Sequence, residues 1–323
     1  MAVFKPHNSS KAPGNSVIVH ASKSWFSAIK NGQFEFFDKL GRKAIDEGFT
    51  PLLVREETPK SAKLLCNRHV HILCGSRLPT DHKAFFAMPT YVWGFWYFDP
   101  NGVYWNSSLV ENRFVPEAID HKEAAYFFNG VSGYMLRENV SKFAQTPRDT
   151  SGLGKADAVI FLQEIDKYKR PVHYLTTKEI IETVATSANG IVYVKPHPAH
   201  TSEFEKAYLD ICKKYPNVIV SNQSVHDLIA MSDVVISQNS AAGFEAIMQK
   251  KPIITCGRTD YFHATVVAKS KQQLKDTLST APESQKGFPF EKYFYWFLGL
   301  HMLEPQKPEF EDRVWSRIRD CTF

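Results

Sequence analysis

The chain has 323 residues, of which 43% are hydrophobic and 13% aromatic, so it can bury two domain cores and is not disordered. Its net charge of +5, from 39 basic and 34 acidic residues, suits anionic substrates or an anionic membrane surface and is too small for a nucleic-acid-binding protein. The chain lacks a bilayer-spanning apolar run, its N-terminus is polar, and its five cysteines lack metal-type spacing, so we expect a cytoplasmic protein with free thiols.

Alternating strands and helices predict a first α/β domain. The apolar runs at 17–20, 51–54 and 70–73 are typical of short buried strands. Between the first two, the apolar spacing from Gly32 to Gly48 predicts a helix that ends at a glycine. This order is that of a doubly wound parallel sheet.

An aromatic stretch and a polar linker follow. Residues 90–103 predict a core strand with a turn at Asp99-Pro100-Asn101-Gly102, although a ring platform for an acceptor sugar stays open. Residues 117–128 predict a helix and 139–145 a connection. The Pro- and Gly-containing run 146–155 is the predicted interdomain linker.

The second half of the chain shows a clearer alternation. Each apolar run stops abruptly in polar or glycine residues, as buried parallel strands do before their loops. The tail from 288 to 318 is aromatic on all sides and predicts two helices buried between domains. Strands are predicted at 158–162, 191–194, 217–221, 233–236 and 252–255, with helices at 176–188, 202–214, 224–231 and 241–249.

Polar side chains collect where the strands of this second domain end. Lys195 and His197 follow one strand, with Pro198 stiffening their turn, and Ser237, Asn239 and Ser240 follow another. A helix beginning at about residue 241 would add free N–H groups, which together describe an anion site, most simply for a phosphate. A packed loop histidine is the plainer alternative.

Further site candidates lie in the same loops. Gly243 would let a ligand approach the backbone, and Glu245 could accept two ribose hydroxyls or simply face the helix dipole. Glu164 and Asp166 stand two residues apart at a strand end, where a carboxylate could act as nucleophile or base or belong to a solvated loop. No third ligand at recognisable spacing supports a metal site.

Several familiar motifs are absent from the sequence. It contains no G-x-G-x-x-G, no G-x-x-x-x-G-K-[ST], no G-x-S-x-G and no D-x-D. Their absence argues against nicotinamide-dependent hydride transfer, ATP hydrolysis and serine-hydrolase chemistry.

Four spaced motifs resemble one known group of enzymes. Q-x-x-D from Gln163, K-P-H-P from Lys195, S-x-x-S-x-x-G-F-E-A from Ser237 and K-P-I-I-T-x-G from Lys251 follow the order found in bacterial capsule and lipopolysaccharide Kdo transferases. The resemblance covers about residues 157–262. It implies a GT-B fold, in which two Rossmann-like doubly wound domains face a cleft and the C-terminal helices cross back to the N-terminal domain. The expected domains are 1–150 for the acceptor, 151–287 for the nucleotide sugar and 288–323 for these helices.

The resemblance also implies roles for individual residues. Lys195 and His197 would contact the CMP phosphate or the Kdo carboxylate, and Glu245 would hold the ribose. Asp166 would be the catalytic carboxylate of a retaining transferase, although Glu164 stays a second candidate because the family has consecutive acids at this place. The phosphate would be bound by residues of the loop that follows the strand 233–236: Ser237, Gln238, Asn239 and Ser240.

The expected function is therefore Kdo transfer from CMP-β-Kdo to a glycan or glycolipid acceptor, without a metal or other cofactor. The protein would act on the cytoplasmic side of the inner membrane. Peripheral association with that membrane stays an open alternative. One alternative is an inverting enzyme that uses CMP-sialic acid, with Asp99 as general base. The other is a non-catalytic protein of polysaccharide export.

Overall fold

The computed structural model of the protein describes residues 2–75, 83–169 and 171–322. Within these residues the first third of the chain contains six strands and three helices. They are β1 (Lys5–Pro6), β2 (Ser16–Ala21), α1 (Lys23–Lys30), α2 (Glu35–Asp46), β3 (Thr50–Arg55), α3 (Pro59–Leu65), β4 (Val70–Cys74), β5 (Phe85–Pro89) and β6 (Trp96–Asp99).

The rest of the chain begins with one long helix and then alternates between strands and helices. The elements are α4 (His121–Arg137), β7 (Ala156–Phe161), α5 (Thr177–Ser187), β8 (Ile191–Lys195), α6 (Ser202–Cys212), β9 (Val218–Val220), α7 (Val225–Ala230), β10 (Ser232–Ser237), α8 (Ala241–Glu245), β11 (Ile253–Thr255), β12 (Val266–Val267), α9 (Lys271–Ser284), α10 (Phe290–Phe294) and α11 (Phe310–Thr322).

The described strands form two six-stranded sheets. The first has the order β1-β3-β2-β4-β5-β6 and is parallel except for the last pair. The second has the order β12-β11-β10-β7-β8-β9 and is parallel throughout. The predicted α/β class with two Rossmann-like sheets is confirmed.

The described chain divides into two compact units whose limits differ from the predicted domains. The first unit comprises Met1–Thr90, Gly94–Asn112 and His301–Phe323, and the second comprises Tyr91–Trp93 and Arg113–Leu300. Residues 113–150 lie in the second unit, where α4 packs on α10. The aromatic tail is divided as well, with its second helix in the first unit.

Each unit has an aromatic-rich interior. In the first unit Phe36 stacks on Trp96 at 4.7 Å and meets Phe310 of α11 at 5.2 Å. In the second unit Phe244 lies 4.7 Å from the ring of Phe297. The aromatic residues of both tail helices are therefore core residues. Among the described helices, none is both long enough and apolar enough to cross a bilayer.

One face of the second sheet is covered by α5, α6 and α9, whose apolar residues pack on alternate strand residues such as Ile160, Val194 and Ile236. The helix predicted at 176–188 is present as α5. Thr176 caps the helix, and Glu179 completes a capping box with it. These anchored helices hold the strand ends of the second unit in fixed positions.

Candidate active site

The candidate site lies at the carboxyl ends of three neighbouring strands in the second unit. Phe161, the last residue of β7, is paired with Lys195 at the end of β8 and with Ser237 at the end of β10. The chain leaves β7 toward β8 on one side and returns to β10 on the other. The gap between β7 and β10 is therefore a topological switch point, where open α/β sheets bind ligands.

Asp166 lies at this switch point and is held by the beginning of α5 and by the loop after β10. Its Oδ1 accepts a hydrogen bond from Gln238 Nε2 at 2.6 Å, and its Oδ2 accepts one from the backbone N–H of Thr177 at 2.8 Å. Gln163 joins the loop after β7 to the loop after β10, because its Oε1 accepts a hydrogen bond from the backbone N–H of Asn239 at 3.0 Å. Two donors from separate elements thus fix the direction of the Asp166 carboxylate.

Glu164, the second candidate carboxylate, is engaged elsewhere. Its two oxygens accept hydrogen bonds from the hydroxyl and the backbone N–H of Thr201, at 2.7 and 3.1 Å, and Lys167 lies 2.9 Å away. The Thr201 hydroxyl and then Lys167 lower the pKa of Glu164. Because Thr201 caps α6, Glu164 supports the beginning of that helix.

His197 presents one ring nitrogen as a donor. Its Nδ1 accepts the backbone N–H of Ala199 at 3.1 Å, so the proton of the neutral ring is on Nε2, and none of the described residues accepts from Nε2. Burial lowers the pKa of His197, which favours this neutral form. Phe143 packs against the ring edge-on at 4.9 Å, and Pro198 is exposed beside it.

The ammonium group of Lys195 binds backbone carbonyl groups of a neighbouring loop. Its Nζ donates to the backbone carbonyls of Gln223 at 2.7 Å and Asn222 at 3.2 Å, in the loop that follows β9. Burial lowers its pKa. In this structure Lys195 therefore joins the end of β8 to the loop after β9, and its phosphate contact stays a prediction.

The loop after β10 is more buried than the sequence suggested. Ser237 is fully buried, and Asn239 and Ser240 are 6% and 8% exposed. Ser240 Oγ accepts from the backbone N–H of Ala242 at 3.3 Å, and Asn239 Nδ2 donates to the carbonyl of Arg258 at 3.2 Å. Asn239 and Ser240 therefore help to shape this loop, and α8 has five residues before it tightens into a 3-10 turn.

Gly243 is required for packing inside this loop. A Cβ atom at position 243 would lie 2.7 Å from Ser237 Oγ and 2.7 Å from the hydroxyl oxygen of Tyr261. Such a contact is far closer than a carbon atom tolerates. The close approach predicted at this glycine therefore involves the protein's own side chains.

Glu245 is fully buried under the segment that follows α4. Its Oε1 accepts from Ser141 Oγ at 2.7 Å and the backbone N–H of Lys142 also binds the carboxyl group, whereas Oε2 has no partner among the described residues. Burial raises the pKa of Glu245 to about 7. The carboxyl group predicted to hold a ribose is thus covered in this structure.

Residues 139–149, named the 139–149 segment below, run along these strand-end loops, a role that the sequence analysis missed. Asn139, Ser141, Phe143 and Gln145 all contact the loops or helices of the second sheet. The sequence predicts a connection at 139–145 and a linker at 146–155, and no local pattern reveals the contacts with Ser224, Val225 and Glu245, which lie 80 to 104 positions away.

The pKa of Glu245 leads to a testable pH effect. The folded protein has a Glu245 pKa of about 7, whereas an ordinary glutamic acid has one of 4.5, so folding binds a proton between these pH values. Stability should therefore fall by about 3 kcal/mol as the pH rises through them. Glu245→Gln should abolish this fall and should therefore raise the melting temperature at pH 8 but not at pH 4.5.

Glu203→Gln, on the exposed side of α6, is the control. Equal pH dependence of wild type and Glu245→Gln would contradict the buried, protonated carboxyl group.

Comparisons with known proteins agree with the predicted resemblance. Residues 168–287 match the model of a family described as capsule polysaccharide biosynthesis protein. Two solved chains of KpsC from Thermosulfurimonas dismutans share the fold. The β-Kdo 2,7 transferase has a TM-score of 0.54 at 18% identity and covers 83% of this chain and 90% of its own. The β-Kdo 2,4 transferase has a TM-score of 0.50 at 16% identity, with 87% and 98% covered.

At these identities the likeness establishes a glycosyltransferase fold. Among curated proteins, none matches the sequence. Within the described residues, no group of three or more His, Cys, Asp or Glu side chains is placed to hold a metal ion.

Proposed function

We propose that this protein is a retaining glycosyltransferase that moves Kdo from CMP-β-Kdo to a glycan or glycolipid acceptor, in capsule or lipopolysaccharide synthesis on the cytoplasmic side of the membrane. The observation that carries the proposal is the position of Asp166. It lies at the switch point of a parallel sheet, fixed by Thr177 and Gln238, next to the strand that presents His197. The resemblance to Kdo transferases supplies the donor.

The proposed reaction consists of two displacements. A carboxylate oxygen of Asp166 attacks the anomeric carbon of Kdo, and the bond from that carbon to the CMP phosphate breaks with its electron pair on the phosphate. An acceptor hydroxyl then attacks the same carbon and gives up its proton to water, while the bond to Asp166 breaks with its electron pair returning to the carboxylate. Two inversions preserve the anomeric configuration.

His197 would assist the departure of CMP. The donor at Nε2 can hydrogen-bond the phosphate oxygen on which negative charge grows, without transferring a proton to it. Such fixed donors typically contribute two to three orders of magnitude in rate. The reaction as proposed requires neither a strong acid nor a metal ion.

The inverting alternative would rely on Asp99 as its general base. Asp99 is 8% exposed and accepts four hydrogen bonds, from the backbone N–H groups of Asn101, Gly102 and Ser108 and from the Ser108 hydroxyl. All four fold the loop that follows β6. A carboxylate engaged in this way is poorly suited to take a proton from an acceptor hydroxyl.

Nucleotide-dependent stabilisation tests the donor. The melting temperature should rise most with CMP, and a concentration of 100 times Kd should add about 2.7 kcal/mol of stability. UDP and GDP at equal concentration are the controls, and preferential stabilisation by either would contradict the proposal.

If CMP binds but no CMP is released from CMP-β-Kdo with any of several acceptors, the non-catalytic alternative is correct. The anomeric configuration of the product, measured by NMR, separates retention from inversion.

A further inference from the structure

Tyr261 lies directly beneath the loop after β10. It belongs to the turn that follows β11 and is fully buried. Its hydroxyl donates a hydrogen bond to the backbone carbonyl of Ser240 at 2.7 Å, and that carbonyl also accepts the N–H of Gly243 at 3.0 Å. One tyrosine hydroxyl therefore supports the point where the loop turns into α8.

The environment of Tyr261 keeps the ring and its proton in place. Burial raises the pKa of the phenol, so the hydroxyl stays a donor at every physiological pH. The ring meets Tyr91 edge-on at 5.0 Å and Phe244 at 5.7 Å. The backbone N–H of Tyr261 is itself held by Thr259 Oγ1 at 2.9 Å. The donor is thus rigid before any ligand arrives.

The contact with Gly243 shows how closely the loop fits this hydroxyl. No Cβ atom can be accommodated between the tyrosine oxygen and Ser237. Tyr261 therefore supports the loop at Ser240 and Gly243. The hydrogen bond between Gln163 and Asn239 ties the same loop to the end of β7.

We propose that Tyr261 is a positioning residue for nucleotide binding, which holds the loop 237–243 in the conformation that faces the donor phosphate. The inference rests on the proposed function only in its choice of ligand. The hydroxyl itself touches no ligand and acts through the Ser240 carbonyl.

The test compares Tyr261→Phe with Tyr293→Phe in the full chain. Tyr293 is equally buried in the same unit, but its hydroxyl has no hydrogen-bond partner among the described residues. Each change removes one buried oxygen, whereas only the first removes a bond to the loop. Tyr261→Phe should raise amide hydrogen exchange in residues 238–244 at least fivefold and weaken CMP binding, measured by calorimetry, about five- to tenfold. Tyr293→Phe should change neither quantity by more than about twofold.

The two readouts separate the two proposals. Unchanged exchange in Tyr261→Phe would overturn the positioning role whether or not CMP binds. The same holds if both variants weaken CMP binding equally, because a general loosening of the core would then explain the effect. If exchange rises only in Tyr261→Phe but the wild-type protein does not bind CMP, Tyr261 still positions the loop and the choice of donor fails.

Discussion

Replacement of Asp166 by Asn should abolish sugar transfer while the protein stays folded. The amide oxygen can still accept the N–H of Thr177, so the beginning of α5 keeps its contact. The hydrogen bond from Gln238 is lost or reversed, which costs about 1 kcal/mol. A neutral amide cannot form the covalent intermediate, so CMP release from CMP-β-Kdo should fall at least about a thousandfold. Steady-state CMP release and the melting temperature measure the two effects.

Glu164→Gln is the matched control for this prediction. Both changes neutralise one carboxylate in the same loop, but Glu164 is occupied by Thr201 and Lys167 at the beginning of α6. We expect turnover within about threefold of wild type for Glu164→Gln, because its hydrogen bonds serve local structure. Near-normal turnover of Asp166→Asn would remove that residue from the mechanism. Loss of activity in Glu164→Gln alone would transfer the nucleophile's role to Glu164.

Local patterns were sufficient to predict most of the second unit. Each of its predicted strands is present within two residues, since a buried parallel strand must be continuously apolar and must end where its loop begins. The helix predicted at 176–188 is present as α5, from Thr177 to Ser187. By contrast, β5 and α9 were missed. The strand β5 is a short apolar run next to a longer aromatic stretch, and α9 has a weakly apolar sequence with a proline at position 282.

The candidate site was predictable in its location but not in its details. Loops at the carboxyl ends of β7, β8 and β10 follow from the parallel topology alone. Which hydrogen bond each side chain makes depends on elements distant in sequence. Ser141 meets Glu245 across 104 positions, and Gln238 meets Asp166 across 72. Short-range patterns contain no information on such pairs, so the sequence suggested a ribose contact for Glu245 but did not reveal its burial beside Ser141.

The anchoring of the 139–149 segment leads to the second large expected effect. Asp227 is fully buried on α7, where Arg148 Nε donates to its Oδ1 and the backbone N–H of Asp149 donates to its Oδ2 at 2.8 Å. Asp227→Ala would leave both donors without their acceptor. Breaking a buried pair costs about 3–5 kcal/mol, and we expect the lower end because the Arg148 side chain is 38% exposed. The free energy of unfolding in urea should therefore fall by about 3 kcal/mol.

Asp233→Ala provides the comparison, because Asp233 pairs with Lys155 at 3.2 Å on the surface, with both side chains substantially exposed. Such a pair contributes less than about 1 kcal/mol, so this variant should unfold close to wild type. Limited proteolysis should cut residues 139–149 faster in Asp227→Ala only, since the segment that covers Glu245 loses its anchor. If both variants lost the same stability, or if the cleavage rate did not change, Asp227 would not hold the segment. Glu245 would then be covered for some other reason.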